Sequence, residues 1–113
     1  MSIIFHIAKR QSWDQSRAGG SYQPEMFASE GFIHCSTADQ VIAVANNRFR
    51  GDSDLVLLAI DTTRVIPTIR YENLEGGTQL FPHIYGELDP GAVVNVYDFP
   101  PGVDGCFTMP AAS

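Results

Sequence analysis

Asp54-Leu55-Val56-Leu57-Leu58-Ala59-Ile60-Asp61 is apolar at odd and even positions alike. That is the pattern of a strand at the centre of a sheet covered on both faces, and the run is too short for a buried helix. Residues 2–8 alternate instead, with Ile3, Phe5 and Ile7 on one face and Ile4, His6 and Ala8 on the other, so the odd face is predicted to be core. Further strands are predicted at 32–36, 68–72, 79–85 and 92–99, the last three set off by Gly76-Gly77, Asp89-Pro90-Gly91 and Pro100-Pro101-Gly102. Ser12-Trp13-Asp14-Gln15 has the form of a capping box and predicts a short helix over 12–18, stopped by Gly19-Gly20. Residues 25–30 fit one more helical turn, after which Gly31 lets the chain reverse into a strand. A second box, Thr37-Ala38-Asp39-Gln40, opens a helix whose stripe is Val41, Ile42, Ala45 and Phe49 and which ends near Arg50-Gly51. Helices crowd the front and strands the back, which indicates an α+β fold rather than a doubly wound α/β sheet.

At 113 residues and 44% hydrophobic content the chain supports one domain with a real core. The ordered part is predicted over 2–108, with Met109 to Ser113 as a tail. The opening Met1-Ser2-Ile3-Ile4-Phe5 lacks a basic segment, and no apolar run is long enough for a membrane span. A cytoplasmic protein is expected, with Cys35 and Cys106 as free thiols. The net charge of −6 is opposite to the footprint of nonspecific nucleic-acid binding. Six of the seven basic residues are arginine, suited to carboxylate or phosphate, but they are scattered.

All three histidines lie inside strand-like apolar runs: Ile3-Ile4-Phe5-His6-Ile7, Gly31-Phe32-Ile33-His34-Cys35-Ser36 and Phe81-Pro82-His83-Ile84-Tyr85-Gly86. Imidazoles among aliphatic neighbours need partners, because an unpaired buried polar group costs ~1–3 kcal/mol. Strand parity groups Phe32, His34 and Ser36 on one face, and Phe81, His83, Tyr85 and Glu87 on another. Aromatic walls with a few polar tips are the makings of a small-molecule pocket, and at least two of the histidines are expected to share one. Cys35 should point away from the His34 ring and behave as a small core residue. A three-histidine zinc site finds no His-x-His or His-Glu-x-x-His spacing, so no metal is expected. Ser36 could cap the following helix or help present an anion to the N–H groups of residues 37 to 40. Arg70 and Glu72 share a strand face, either as a surface ion pair or with Glu72 orienting a histidine.

The blocks Ile4-Phe5-His6-Ile7, Glu30-Gly31-Phe32-Ile33-His34-Cys35-Ser36 with Gln40 and Ala45-Asn46, Leu55-Val56-Leu57-Leu58 with Ile60-Asp61, and Phe81-Pro82-His83-Ile84-Tyr85-Gly86 strongly resemble the bacterial family Domain of Unknown Function 952, over residues 3 to about 107. That family is grouped with the ADP-ribosyltransferase superfamily. The resemblance therefore implies an ADP-ribosyltransferase-like fold: two small, mostly antiparallel sheets bordering a cleft, with two or three short helices and NAD as the cofactor of active relatives. It implies that His6 is similar to the first-strand histidine of the poly-ADP-ribose polymerase branch, and that Gly31-Phe32-Ile33 with Ala45-Asn46 is similar to its second block. Glu72 and Glu87 are candidates for the acidic residue of the third block. The richness in histidine is closer to the RNA 2′-phosphotransferase branch. On this reading NAD or an ADP-ribosylated nucleotide binds the cleft, His6, Tyr85 and Glu72 position it, Ser36 contacts a phosphate, and His34 or His83 acts in catalysis. Two other classes remain: a noncatalytic module that binds a nucleotide-like metabolite, and a structural protein whose buried histidines line no pocket.

Overall fold

A computed structural model describes residues 2–110. In chain order it contains β1 (Ile3–Lys9), α1 (Arg10–Gly19), α2 (Phe27–Glu30), β2 (Ile33–His34), α3 (Val41–Arg48), β3 (Leu55–Asp61), β4 (Thr68–Glu72), β5 (Phe81–Tyr85) and β6 (Val93–Asp98), with short 3₁₀ turns at Thr62–Arg64 and Pro90–Ala92. The fold is α+β, with two antiparallel three-stranded sheets ordered β1-β3-β6 and β2-β5-β4. The expected tail begins at Met109, and its residues 111–113 lie outside the described residues.

Every residue of β3 is buried. Its even side chains, Val56, Leu58 and Ile60, enter a core layer with Ile33, Ile84, Leu88 and Trp13. Its odd ones, Leu55, Leu57 and Ala59, meet Val41 and Ala45 of α3 and the stacked rings of Phe99 and Phe107. The first sheet is thus a middle layer, roofed by the second sheet on one side and by α3 on the other. This corrects the expectation for β1, whose odd face alone was to be core. Phe5 and Ile7 do face α3, but Ile4 and Ala8 are buried as well, against the back of the second sheet. The alternation read in β1 rests on His6, a polar residue that is buried all the same.

Of the two longer helices, one starts on a distant partner and the other on local contacts. α1 begins at Arg10, two residues before the expected start, and the Ser12 box is not what caps it: the Arg10 N–H donates to the carbonyl of Asp54 at 3.0 Å. The Arg10 guanidinium also bonds the carboxylates of Asp54 (3.1 Å) and Asp98 (2.5 Å). Gly20, at φ 83°, ends the helix as expected. Before α3 only the return half of the second capping box forms, the Gln40 side-chain carbonyl accepting the Thr37 N–H at 3.0 Å, while the Thr37 hydroxyl goes to Asp39. Helix proper starts at Val41 and stops at Arg48, so Ser36 does not cap it.

β2 is shorter than the predicted 32–36 because of a proline in the neighbouring strand. Its register sets Ile33 opposite Ile84 and His34 opposite His83, which brings Cys35 to Pro82. The Cys35 N–H donates to the Pro82 carbonyl at 3.0 Å, but the return bond has no N–H to make it. The ladder ends there, and the chain crosses to the first sheet, where Ser36 and Phe5 exchange backbone bonds of 2.7 and 2.8 Å. Among the described residues no helix is long and apolar enough to cross a membrane.

Because β3 is covered on both faces, Leu57→Ala and Leu58→Ala, which point to opposite layers, are each expected to cost ~2–5 kcal/mol in urea unfolding. A strand with one wet face would show that loss for only one of the two.

Candidate functional site

The outward face of the second sheet carries the candidate site. β2 and β5 meet at His34 and His83, and the bonding pattern at Cys35 and Pro82 makes this a non-hydrogen-bonded pair, where facing side chains come closest. Their ring centroids lie 5.1 Å apart, one edge toward the other. Phe32 packs against both, 4.7 Å from His34 and stacked 4.4 Å from His83. β4 adds Arg70 opposite His83, and Glu72 on the same side of the sheet.

Each of these two imidazoles is held by a carboxylate. Gly31 takes a left-handed turn at φ 80°, which folds the end of α2 back so that Glu30 receives the Nε2–H of His34 on both oxygens at 3.0 Å. His83, 6% exposed, donates its Nδ1–H to Glu72 at 3.0 Å, and the same Glu72 oxygen accepts the Tyr85 hydroxyl. The bonds from Tyr85 first, and then from His83, hold the Glu72 carboxyl below the usual carboxylate range, and Glu72 raises the Tyr85 hydroxyl in turn. These partners fix the tautomers: Nδ1 of His34 and Nε2 of His83 are left without a bond to any described protein group.

His6 has a different environment. Its Nδ1–H donates to the carbonyl of His34 at 2.5 Å, and its Nε2 accepts the hydroxyl of Tyr22 at 2.8 Å. Both nitrogens are therefore used inside the protein. Burial is the main reason its pKa is lowered to about 4. Tyr22, clasped to Leu88 by two backbone bonds, is shifted up, chiefly by burial.

A cavity of about 550 Å³ opens over this outward face, bordered by β1 and α3 and lined by His6, His34 and His83 with Tyr22, Gln40 and both carboxylate partners. Its size is that of a pocket for a ligand of nucleotide or drug dimensions. Phe5, Phe32 and Phe81 give it aromatic walls. Among the described residues no group of three or more His, Cys, Asp or Glu side chains is arranged to hold a metal. Cys35 sits in the core layer behind β2, its thiol pushed up by burial and turned from the His34 ring.

The structure thus brings His6, His34, His83, Ser36 and Glu72 to one cavity. Tyr85 is not part of its lining and borders it through Glu72, which its hydroxyl bonds, and through Phe32, on which its ring stacks at 5.3 Å. Glu87, the other acidic candidate, is exposed, outside the cavity, and bonded by Ser21 and Gln23. Of the two alternatives for Glu72, the geometry gives the histidine partner, and Arg70 instead lies over the Tyr85 ring at 5.3 Å. The sequence reading missed Glu30, Tyr22 and Gln40. For Glu30 a signal existed, a carboxylate four residues before His34 across a glycine turn; the other two come from loops with no such cue.

A family model described as a protein of unknown function, DUF952, matches residues 7–96. The chain belongs to the DUF952 family. The matched segment contains both carboxylate-held imidazoles, and His6 lies immediately before it. Two crystal structures of protein CC0527 from Caulobacter crescentus, one a double mutant, are similar to this DUF952 chain at 31% and 32% identity, with a TM-score of 0.85 and coverage of 95% of this chain and 94% of the other. A solution structure of the same protein is 33% identical, with a TM-score of 0.81, covering 94% and 91%. No curated protein matches.

The depressed His6 gives a pH signature. An unfolded chain takes up a proton on this residue near pH 6.5, whereas the folded one resists until about pH 4. Stability from this group is thus complete above pH 6.5 and is lost as pH falls toward 4, by roughly 3 kcal/mol. Urea unfolding from pH 7 to 4 should show this slope for the wild type and a shallower one for His6→Gln. An NMR titration placing His6 near 6.5 would contradict it.

Proposed function

We propose that the cleft binds NAD or an ADP-ribosylated nucleotide and acts on it as a transferase or phosphotransferase-like enzyme, with His34 and His83 as the acid–base groups. The observation that carries this reading is the pair of carboxylate-held imidazoles, 5.1 Å apart, on the wall of a cavity of about 550 Å³. With Nε2 of His34 and Nδ1 of His83 engaged, each ring offers its other nitrogen as a proton acceptor, and after taking a proton as a donor. Imidazole suits that exchange because its ordinary pKa is near neutrality. Phe32 and Phe81 supply flat apolar surface of the kind a base or nicotinamide ring packs on. His6 and Tyr22 keep the wall in place, since the His6 bond ends on the carbonyl of His34 itself. The resemblance of the sequence blocks to the ADP-ribosyltransferase superfamily supports the choice of nucleotide.

A second reading, a noncatalytic module that binds a nucleotide-like metabolite, is favoured by Glu72. Its Oε1 is already taken by Tyr85 and His83, which makes it a clamp on His83 rather than a free acidic group. A protein with purely structural histidines would have no use for the cavity.

Calorimetry with NAD, ADP-ribose and a 2′-phosphorylated nucleotide, joined to an assay for nicotinamide release, tests both readings. Binding of one of them is expected, weakened roughly tenfold or more, about 1.4 kcal/mol, by His34→Ala and by His83→Gln, with melting temperatures little changed. Binding without turnover selects the module. No binding by the wild type, together with a loss of ~2 kcal/mol or more in the stability of both variants, makes the histidines structural.

A further inference from the structure

The charged residues lining the cavity come in matched pairs. Lys9 stands 3.6 Å from Glu25, Arg48 bonds Glu75, His34 bonds Glu30 and His83 bonds Glu72. Among the described residues each lining carboxylate therefore has a basic partner, and Lys9 and Arg48 are the only lysine or arginine in the lining. An anion that is to be held by a cation of this cavity must share that cation with a carboxylate or take it away. The two pairs that include Lys9 and Arg48 are exposed, so parting them costs little. Parting His83 from Glu72 would strip a 6% exposed ring of its partner.

We infer that Arg48 is the phosphate-binding residue of the cleft, and that Glu75 competes with the phosphate for its guanidinium; this rests on the nucleotide reading above. Three observations favour Arg48 over Lys9. A guanidinium offers a planar fork that two phosphate oxygens can share, which an ammonium does not. Arg48 belongs to α3, whose Val41 and Ala45 are anchored in the core, so the cation has a fixed base. Glu75 belongs to the exposed β4–β5 connection, built around Asn73, whose Oδ1 accepts the N–H groups of Glu75 (2.9 Å) and Gly77 (3.0 Å). Next to it Gly76 sits at φ 84°. Asn73, Leu74, Glu75 and Gln79 of this connection all line the cavity, so the carboxylate is in the path of a ligand extending from the imidazoles toward α3.

The test uses the full chain, wild type and the variants Arg48→Gln, Arg48→Lys and Glu75→Gln, with ADP-ribose, inorganic pyrophosphate and adenosine as calorimetric probes. Arg48→Gln should weaken ADP-ribose and pyrophosphate roughly tenfold or more, Arg48→Lys should weaken them less, and Glu75→Gln should tighten both by about three- to tenfold. Adenosine, which carries no phosphate, should be indifferent to all three. Circular dichroism melts should be nearly unchanged, as for any exposed pair, and Arg48→Lys serves if the glutamine variant folds poorly. If ADP-ribose binds the wild type and Arg48→Gln equally well, Arg48 is not the phosphate residue, although the nucleotide reading stands. If Arg48→Gln weakens binding but Glu75→Gln fails to tighten it, the competition is overturned. If ADP-ribose binds neither the wild type nor Glu75→Gln, this inference and the nucleotide reading fall together.

Discussion

The two hydrogen bonds of His6 connect the parts on which the cavity depends. One ring nitrogen reaches the carbonyl of His34 in β2, the other receives the hydroxyl of Tyr22, and the ring itself belongs to β1. A first-sheet strand, a second-sheet strand and the loop after α1 are thereby fixed at a single buried point. A hydrocarbon of similar shape could fill the space but would orphan the His34 carbonyl and the Tyr22 hydroxyl, and such losses inside a protein outweigh the gain from an added apolar contact. The neutrality of His6 follows from the same closure. Protonating His6 would turn the Tyr22 hydroxyl from donor to acceptor and put a charge at a buried point.

Around that point the layers divide the work. β1 and β3 supply the buried middle, α3 closes one side, and the second sheet turns its aliphatic face, Ile33, Ile84 and Ile69, toward the other. The opposite face of the second sheet is then free to carry groups that would be intolerable in a core. His34, His83, Arg70 and Glu72 lie there in facing rows, bound chiefly to one another's neighbours rather than to backbone. Stability and chemistry are thus assigned to alternate residues of the same short strands, which is the simplest use a protein can make of period two.

What the sequence disclosed follows the range of the interactions involved. Continuous apolar runs, turn residues and glycine stops are local, so β3, β4 and the turns at Gly20 and Gly31 could be read directly. Parity grouped Phe32 with His34 on one strand and His83 with Tyr85 on another, and put Cys35 on the face opposite the His34 ring; that the two faces are one is set by the β2–β5 register, which the sequence does not show. The start of α1 could not be read, because the group that caps it is a carbonyl at position 54. The buried even face of β1 follows from the order of the layers, which no window of seven residues contains. Glu30 escaped because its approach to His34 needs the left-handed turn at Gly31, and helical spacing rules do not apply across such a break.

Pro82 has a consequence for how the cleft can move. By ending the β2–β5 ladder it releases the chain at Cys35, and within one residue that chain is bonded to β1. Both walls of the cleft are therefore sewn to one short length of backbone, with His6 as a second stitch beside it. Opening the walls like a book would tear main-chain bonds on one side or the other. The spacing of the second sheet from β1 is therefore set by the main chain itself, and movement around the cavity is left to the loops that border it.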